Sequence, residues 1–105
     1  MTKYELTTFP NQELSLSVEG YSCEFRFHTF RDVIYSNISI DGVEIASGIR
    51  CVPNGWLIPQ MRVYAEVGNF RFETNRDKYP SYEDFEGGYT LLVHYTQEEI
   101  EAING

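Results

Sequence analysis

Sulfur, indole and imidazole are scarce in this sequence: two cysteines, one tryptophan and two histidines among 105 residues. Cys23 and Cys51 are too few for a disulfide framework. No window reaches the roughly 20 consecutive apolar residues of a membrane-spanning helix. The opening MTKYELTTFPNQ lacks the apolar core of a signal peptide. The expectation is therefore a cytosolic chain with two reduced, buried thiols. Positive charge is also short, with 8 Lys and Arg against 16 Asp and Glu, a net charge of −8. The basic residues are scattered from Lys3 to Lys78, so no stripe is available to grip phosphates or an anionic membrane. Direct nucleic-acid binding is not expected. Charge of this sign keeps a protein soluble, and an acidic body also suits a place beside a DNA passage.

What is present is β-patterned. Phe and Tyr number 7 and 8, and 42% of residues are hydrophobic, too apolar and aromatic for a disordered chain. A length of 105 residues suits one domain, residues 1–105, burying roughly 65% of its unfolded surface. Leu14, Leu16 and Val18 alternate with polar residues, as do Tyr21, Cys23, Phe25 and Phe27. Glu19-Gly20 between them reads as a hairpin turn. Ile34, Ser36, Ile38 and Ile40 share a face before Asp41-Gly42, a strong hairpin signal. Val43, Ile45, Ser47, Ile49 and Cys51 are expected on one face of the return strand, which Pro53-Asn54-Gly55 ends. Short irregular strands are expected around residues 57–64, and a further strand at Asn69–Thr74. Residues 75–88 read as a long polar loop. Tyr89 to Tyr95 read as a strand covered on both faces, because Leu92 breaks the alternation. Thr96 and Glu99 fit a capping box that opens a short C-terminal helix. The expected fold is all-β: an antiparallel barrel or sandwich of about seven strands with that helix.

Reactive constellations are thin. His28 and His94 are placed to meet across a sheet, yet neither has the local spacing of a zinc ligand set. Cys51 follows an apolar strand face and reads as an inert core thiol. Asp77, Glu83, Asp84 and Glu86 share a loop without calcium-loop spacing. No metal, cofactor or catalytic residue is expected. Trp56 has three readings: filler of a barrel mouth, anchor of a protein interface, or platform for a sugar. With Tyr64, Tyr79 and Tyr82 it sustains a rival reading as a carbohydrate-binding β module. An enzyme built on His28 and His94 is the other rival.

Several segments in order carry a resemblance: Pro10-Asn11-Gln12 near the first strand, Asp41-Gly42 in a hairpin, Gly48 followed by Pro53 and Asn54, and the apolar strand Tyr89 to Tyr95. Over roughly residues 4–96 the sequence resembles the small baseplate plug proteins of contractile-tailed phages. Residues 75–88 depart from that pattern with an aromatic, acidic stretch, RDKYPSYEDFEGG. The resemblance implies a non-enzymatic structural component of the virion tail baseplate, made in the host cytoplasm. It implies packing among hub, tube and spike proteins in several copies, of which three would suit a tail tip. The expected protein interface is Trp56, Leu57, Ile58, Tyr64, Ile100 and Ile103. The expected channel-facing acids are Asp77, Glu83, Asp84 and Glu86.

Overall fold

The computed structural model describes residues 1–59, 66–75 and 78–104, with the backbone alone at 104. Among them are seven strands and one α-helix: β1 (Thr2–Tyr4), β2 (Asn11–Val18), β3 (Tyr21–Phe30), β4 (Val33–Ile40), β5 (Val43–Arg50), β6 (Asn69–Thr74), β7 (Thr90–Tyr95) and α1 (Gln97–Asn104). They form two antiparallel sheets, ordered β1-β7-β6 and β2-β3-β4-β5. No strand is shared between the sheets, so the architecture is an open sandwich and not a closed barrel.

Turn chemistry builds the four-stranded sheet. Glu19-Gly20 has φ of 51° and 82°, and Asp41-Gly42 has 50° and 84°. Two successive positive φ angles give the type I′ turn, whose twist matches that of paired strands. The Asp41 carboxylate also accepts the Ser22 amide at 2.8 Å. A third turn of this kind, Arg31-Asp32 with φ of 49° and 63°, joins β3 to β4.

The period of two holds on β3 and β4, where Cys23, Phe25, Phe27, Ile34, Ser36, Ile38 and Ile40 are all buried. It fails on β5. The β4–β5 register slips between Ser36 and Ile38 and again between Ile38 and Ser39. Each slip changes which side chains face inward. Ala46 enters the core while Val43 and Ser47 are exposed, so the single face expected for Val43 to Cys51 is corrected. Asn37 Oδ1 accepts the Gly48 amide at 2.6 Å within the slipped stretch.

The sheets meet through rings. Phe25 and Phe70 pack edge-on at 4.7 Å, Phe27 and Phe72 at 5.3 Å. Phe85 stacks on Phe72 at 5.8 Å. Edge-to-face pairs contribute about 0.5–1.5 kcal/mol each beyond the area they bury. Phe85 comes from the 75–89 loop, where Ser81 caps a single 3₁₀ turn over Tyr82–Asp84. The expected polar loop is thus pinned to the core by Phe85, with Tyr82 packed against that core.

The seven strands match the expected number but not the expected membership. β1 is added, paired with β7 at Thr2↔His94 and Tyr4↔Leu92. Residues 56–59 are not strand, and residues 60–64 lie outside the described residues. Pro53 and Pro59 interrupt a regular ladder there. The segment still seals the outer edge of β6. Asn54 N donates to Phe72 O, and Leu57 N to Phe70 O. The Asn69 side chain holds both main-chain groups of Ile58, at 2.9 and 2.8 Å. β7 is central, with Leu92, Val93, His94 and Tyr95 all buried. The capping box of α1 forms as expected: Glu99 N donates to Thr96 Oγ1 at 3.2 Å, and Thr96 N to Glu99 Oε1 at 3.0 Å.

Candidate functional site

Trp56 stands within the segment 54–58, a strap bonded along β6, and is half-buried. Its ring meets Tyr95 edge-on at 5.6 Å. The Arg71 guanidinium lies 4.8 Å from the centroids of both Trp56 and Tyr95. Arg71 Nε donates to Glu73 Oε2 at 3.1 Å, and the Tyr95 hydroxyl donates to the same oxygen. Burial first, and then that bond to Glu73, raise the Tyr95 phenol above its ordinary pKa. Residues 71 and 73 share a face of β6 because a strand repeats every two residues. The outcome is an aromatic–guanidinium–carboxylate cluster on the three-stranded sheet. Trp, Tyr and Arg are the side chains that most often anchor protein interfaces.

The expected trio of Trp56, Leu57 and Ile58 is divided. Leu57 and Ile58 are 1% and 5% exposed and belong to the core, because Leu57 N and the Ile58 main chain are tied to β6. Trp56 alone of the three keeps outward surface. Tyr64 lies outside the described residues. Ile100 is half-buried and Ile103 is 47% exposed on α1, which starts just after Tyr95. Of the acidic residues, Glu83 and Glu86 are exposed and Asp84 half-buried; Asp77 lies outside the described residues. Sequence reasoning missed Arg71, Glu73 and Tyr95 as companions of Trp56. The shared face of Arg71 and Glu73 was readable, but the chain crossing that brings Trp56 there was not.

The candidate reactive groups are kept apart. His94 lies in β7 and donates from Nε2 to Val67 O at 2.6 Å, with its ring 4.9 Å from Phe70. His28 lies in β3 of the other sheet, stacked on Tyr35 at 5.5 Å. The candidate pair is thus divided between the two sheets. Cys23 and Cys51 are buried and unbridged. Burial pushes their thiols up, to about 11 and about 12, so neither supplies thiolate near neutrality. Among the described residues no three His, Cys, Asp or Glu are grouped to hold a metal ion, and no helix is long and apolar enough to cross a membrane. Of the candidate sugar-binding rings, Tyr64 lies outside the described residues, and the other three have separate partners. Arg50 lies 5.3 Å over the exposed Tyr79 ring, Tyr82 packs against the core, and Trp56 is held by Arg71.

A comparison with curated proteins gave no match. A protein-family model does match, over residues 1–97, and its span takes in both sheets, the strap and the first residue of α1. The chain, with its two antiparallel sheets and its ring-packed core, belongs to the family described as cyanophage baseplate Pam3 plug gp18.

Proposed function

We propose that this protein is a non-enzymatic structural component of a phage tail baseplate, a plug or adaptor packed between tube, hub and spike proteins in several copies. The observation that carries this reading is the Trp56–Arg71–Tyr95 cluster. An indole held rigid by a guanidinium, yet still partly open to solvent, loses little side-chain freedom on docking. Ile100 and Ile103 on α1, which begins where β7 ends, extend the contact. Glu83, Asp84 and Glu86 face the tail channel, where their charge keeps DNA from adhering. The separation of His28 from His94 and the inert thiols support the absence of catalysis.

The test is Trp56→Ala in the phage. The variant should fold, since Trp56 is not a core residue, and should be lost from purified baseplates. Trp56→Phe should restore part of the incorporation. A correctly folded Trp56→Ala protein present in baseplates at the normal amount would overturn this interface.

A further inference from the structure

Sheet edges expose unpaired main-chain groups, and soluble proteins usually disable them with short strands, bulges, prolines, inward charges or a covering segment. Three of the four edges here are treated in this way. β1 has three residues. β5 carries two register slips. β6 is covered by the strap through Asn54, Leu57 and Ile58. β2 is different. It runs for eight residues, keeps one unbroken register with β3 from Asn11↔His28 to Val18↔Tyr21, and contains no proline.

The geometry of its turn shows which groups are free. A two-residue hairpin makes Val18 and Tyr21 a mutually hydrogen-bonded pair. Alternation along an antiparallel pair then turns the N–H and C=O of Asn11, Glu13, Ser15 and Ser17 away from β3. Among the described residues, none of these groups has a main-chain partner. The inward side chains Gln12, Leu14 and Leu16 are only half-buried, although both leucines pack against the core. At Leu14 and Leu16 the apolar layer therefore runs to the edge, and among the described residues no main chain pairs with its outer side there. At Gln12 the main-chain oxygens of Thr7 and Phe9 accept from Nε2 at 2.8 and 3.1 Å, so residues 7–9 cover that end.

We propose that β2 is a docking edge for an extended segment of another protein, added as a fifth strand, in which apolar residues alternate with Lys or Arg. The apolar side chains continue the layer over Leu14 and Leu16. The cationic ones fall on the outer face, beside Glu13, with Glu24 in the next strand and Glu44 further across. Arg26 meets Glu13 at 3.2 Å with both side chains largely exposed, so the face keeps an acidic excess. A second copy of this chain fits poorly, since it would bring its own Glu13 and another net charge of −8. That the segment belongs to a baseplate protein rests on the function proposed above; the open edge does not.

Ser15→Pro tests this directly. Proline removes an outward N–H and leaves the β2–β3 ladder intact, the setting in which edge strands tolerate it. Ser15→Ala is the control, since it keeps the N–H. The probe is an acetylated octapeptide of alternating Val and Lys, titrated into the ¹⁵N-labelled protein. The amides of Glu13, Ser15 and Ser17 should shift, and the Val–Glu counterpart should bind far more weakly. Ser15→Pro should weaken binding by roughly tenfold or more, because strand addition depends on main-chain hydrogen bonds, while Ser15→Ala binds as wild type. Absence of binding, shifts confined to other strands, or a folded Ser15→Pro protein that binds equally well would overturn the proposal. So would self-association of the wild type that Ser15→Pro abolishes, which would make the occupant a second copy. In the phage, normal incorporation of Ser15→Pro would sink the edge and spare the baseplate reading. Absence of the wild-type protein from baseplates would sink that reading and leave the edge to the peptide result.

Discussion

At the scale of single residues, Ser36, Thr90 and His94 are the buried polar residues among those described, and Ser36 alone has a buried side-chain polar atom without a partner. Ser36 is 0% exposed on the inward face of β4 between Ile34 and Ile38, and its Oγ has no hydrogen-bond partner among the described residues. A buried hydroxyl without a partner costs about 1–3 kcal/mol relative to a satisfied one. Ser36→Ala should therefore raise stability by about 1 kcal/mol, read as a higher urea midpoint at unchanged slope. A lower midpoint would mean that the hydroxyl has a partner. The inward facing of Ser36 was readable from the beat Ile34, Ser36, Ile38, Ile40, because alternation fixes a face whatever the residue. The Trp56 cluster was only half readable. A strand pattern places Arg71 and Glu73 together, whereas the approach of Trp56 depends on a strap held by non-repeating bonds such as Leu57 N to Phe70 O.

At the scale of elements, legibility follows how local the cause is. The Glu19-Gly20 and Asp41-Gly42 turns and the capping box of α1 were legible, since each is determined within four residues. β1 was not, because three residues, Thr2 to Tyr4, carry no period and are ordered only by β7. The slips in β5 were not, because they arise from matching β4. The Arg31-Asp32 turn was hidden since neither residue is a glycine. α1 gives a pH prediction with a definite sign. Hydrogen bonding from the Met1 ammonium group, and then from the Thr96 amide, lowers the Glu99 carboxyl to about 2. A depressed carboxyl contributes stability above its unfolded value, here 4.5, and loses it as pH falls through the folded value. Helical signal from α1 should therefore hold from neutrality to about pH 4.5 and decline toward pH 2. The amide resonances of Glu99 and Ile100 should report this before the sheets respond. Glu99→Gln should flatten the profile and lower helix content at pH 7. A Gln variant with the wild-type profile would show that the cap does not depend on this charge.

At the scale of the whole molecule, the net charge of −8 acts beyond any contact, and the 75–89 loop concentrates part of it. Phe85 fixes that loop to the core through Phe72, so Glu83 and Glu86 stand exposed on a base that does not depend on their charge. Their charge can therefore be removed without removing their support. The triple variant Glu83→Gln, Asp84→Asn, Glu86→Gln should keep its thermal unfolding within about 0.5 kcal/mol of wild type, as surface changes usually do. If these acids line the channel, particles carrying the variant should assemble normally and release DNA more slowly. The defect has a built-in discriminator. Charge effects are screened over about 10 Å at 0.1 M salt and about 3 Å at 1 M. A channel defect of electrostatic origin should shrink as salt rises during triggered release in vitro, whereas a packing defect should persist. Release at the wild-type rate in low salt would place the loop away from the passage, and the charge of this protein would then serve its solubility alone.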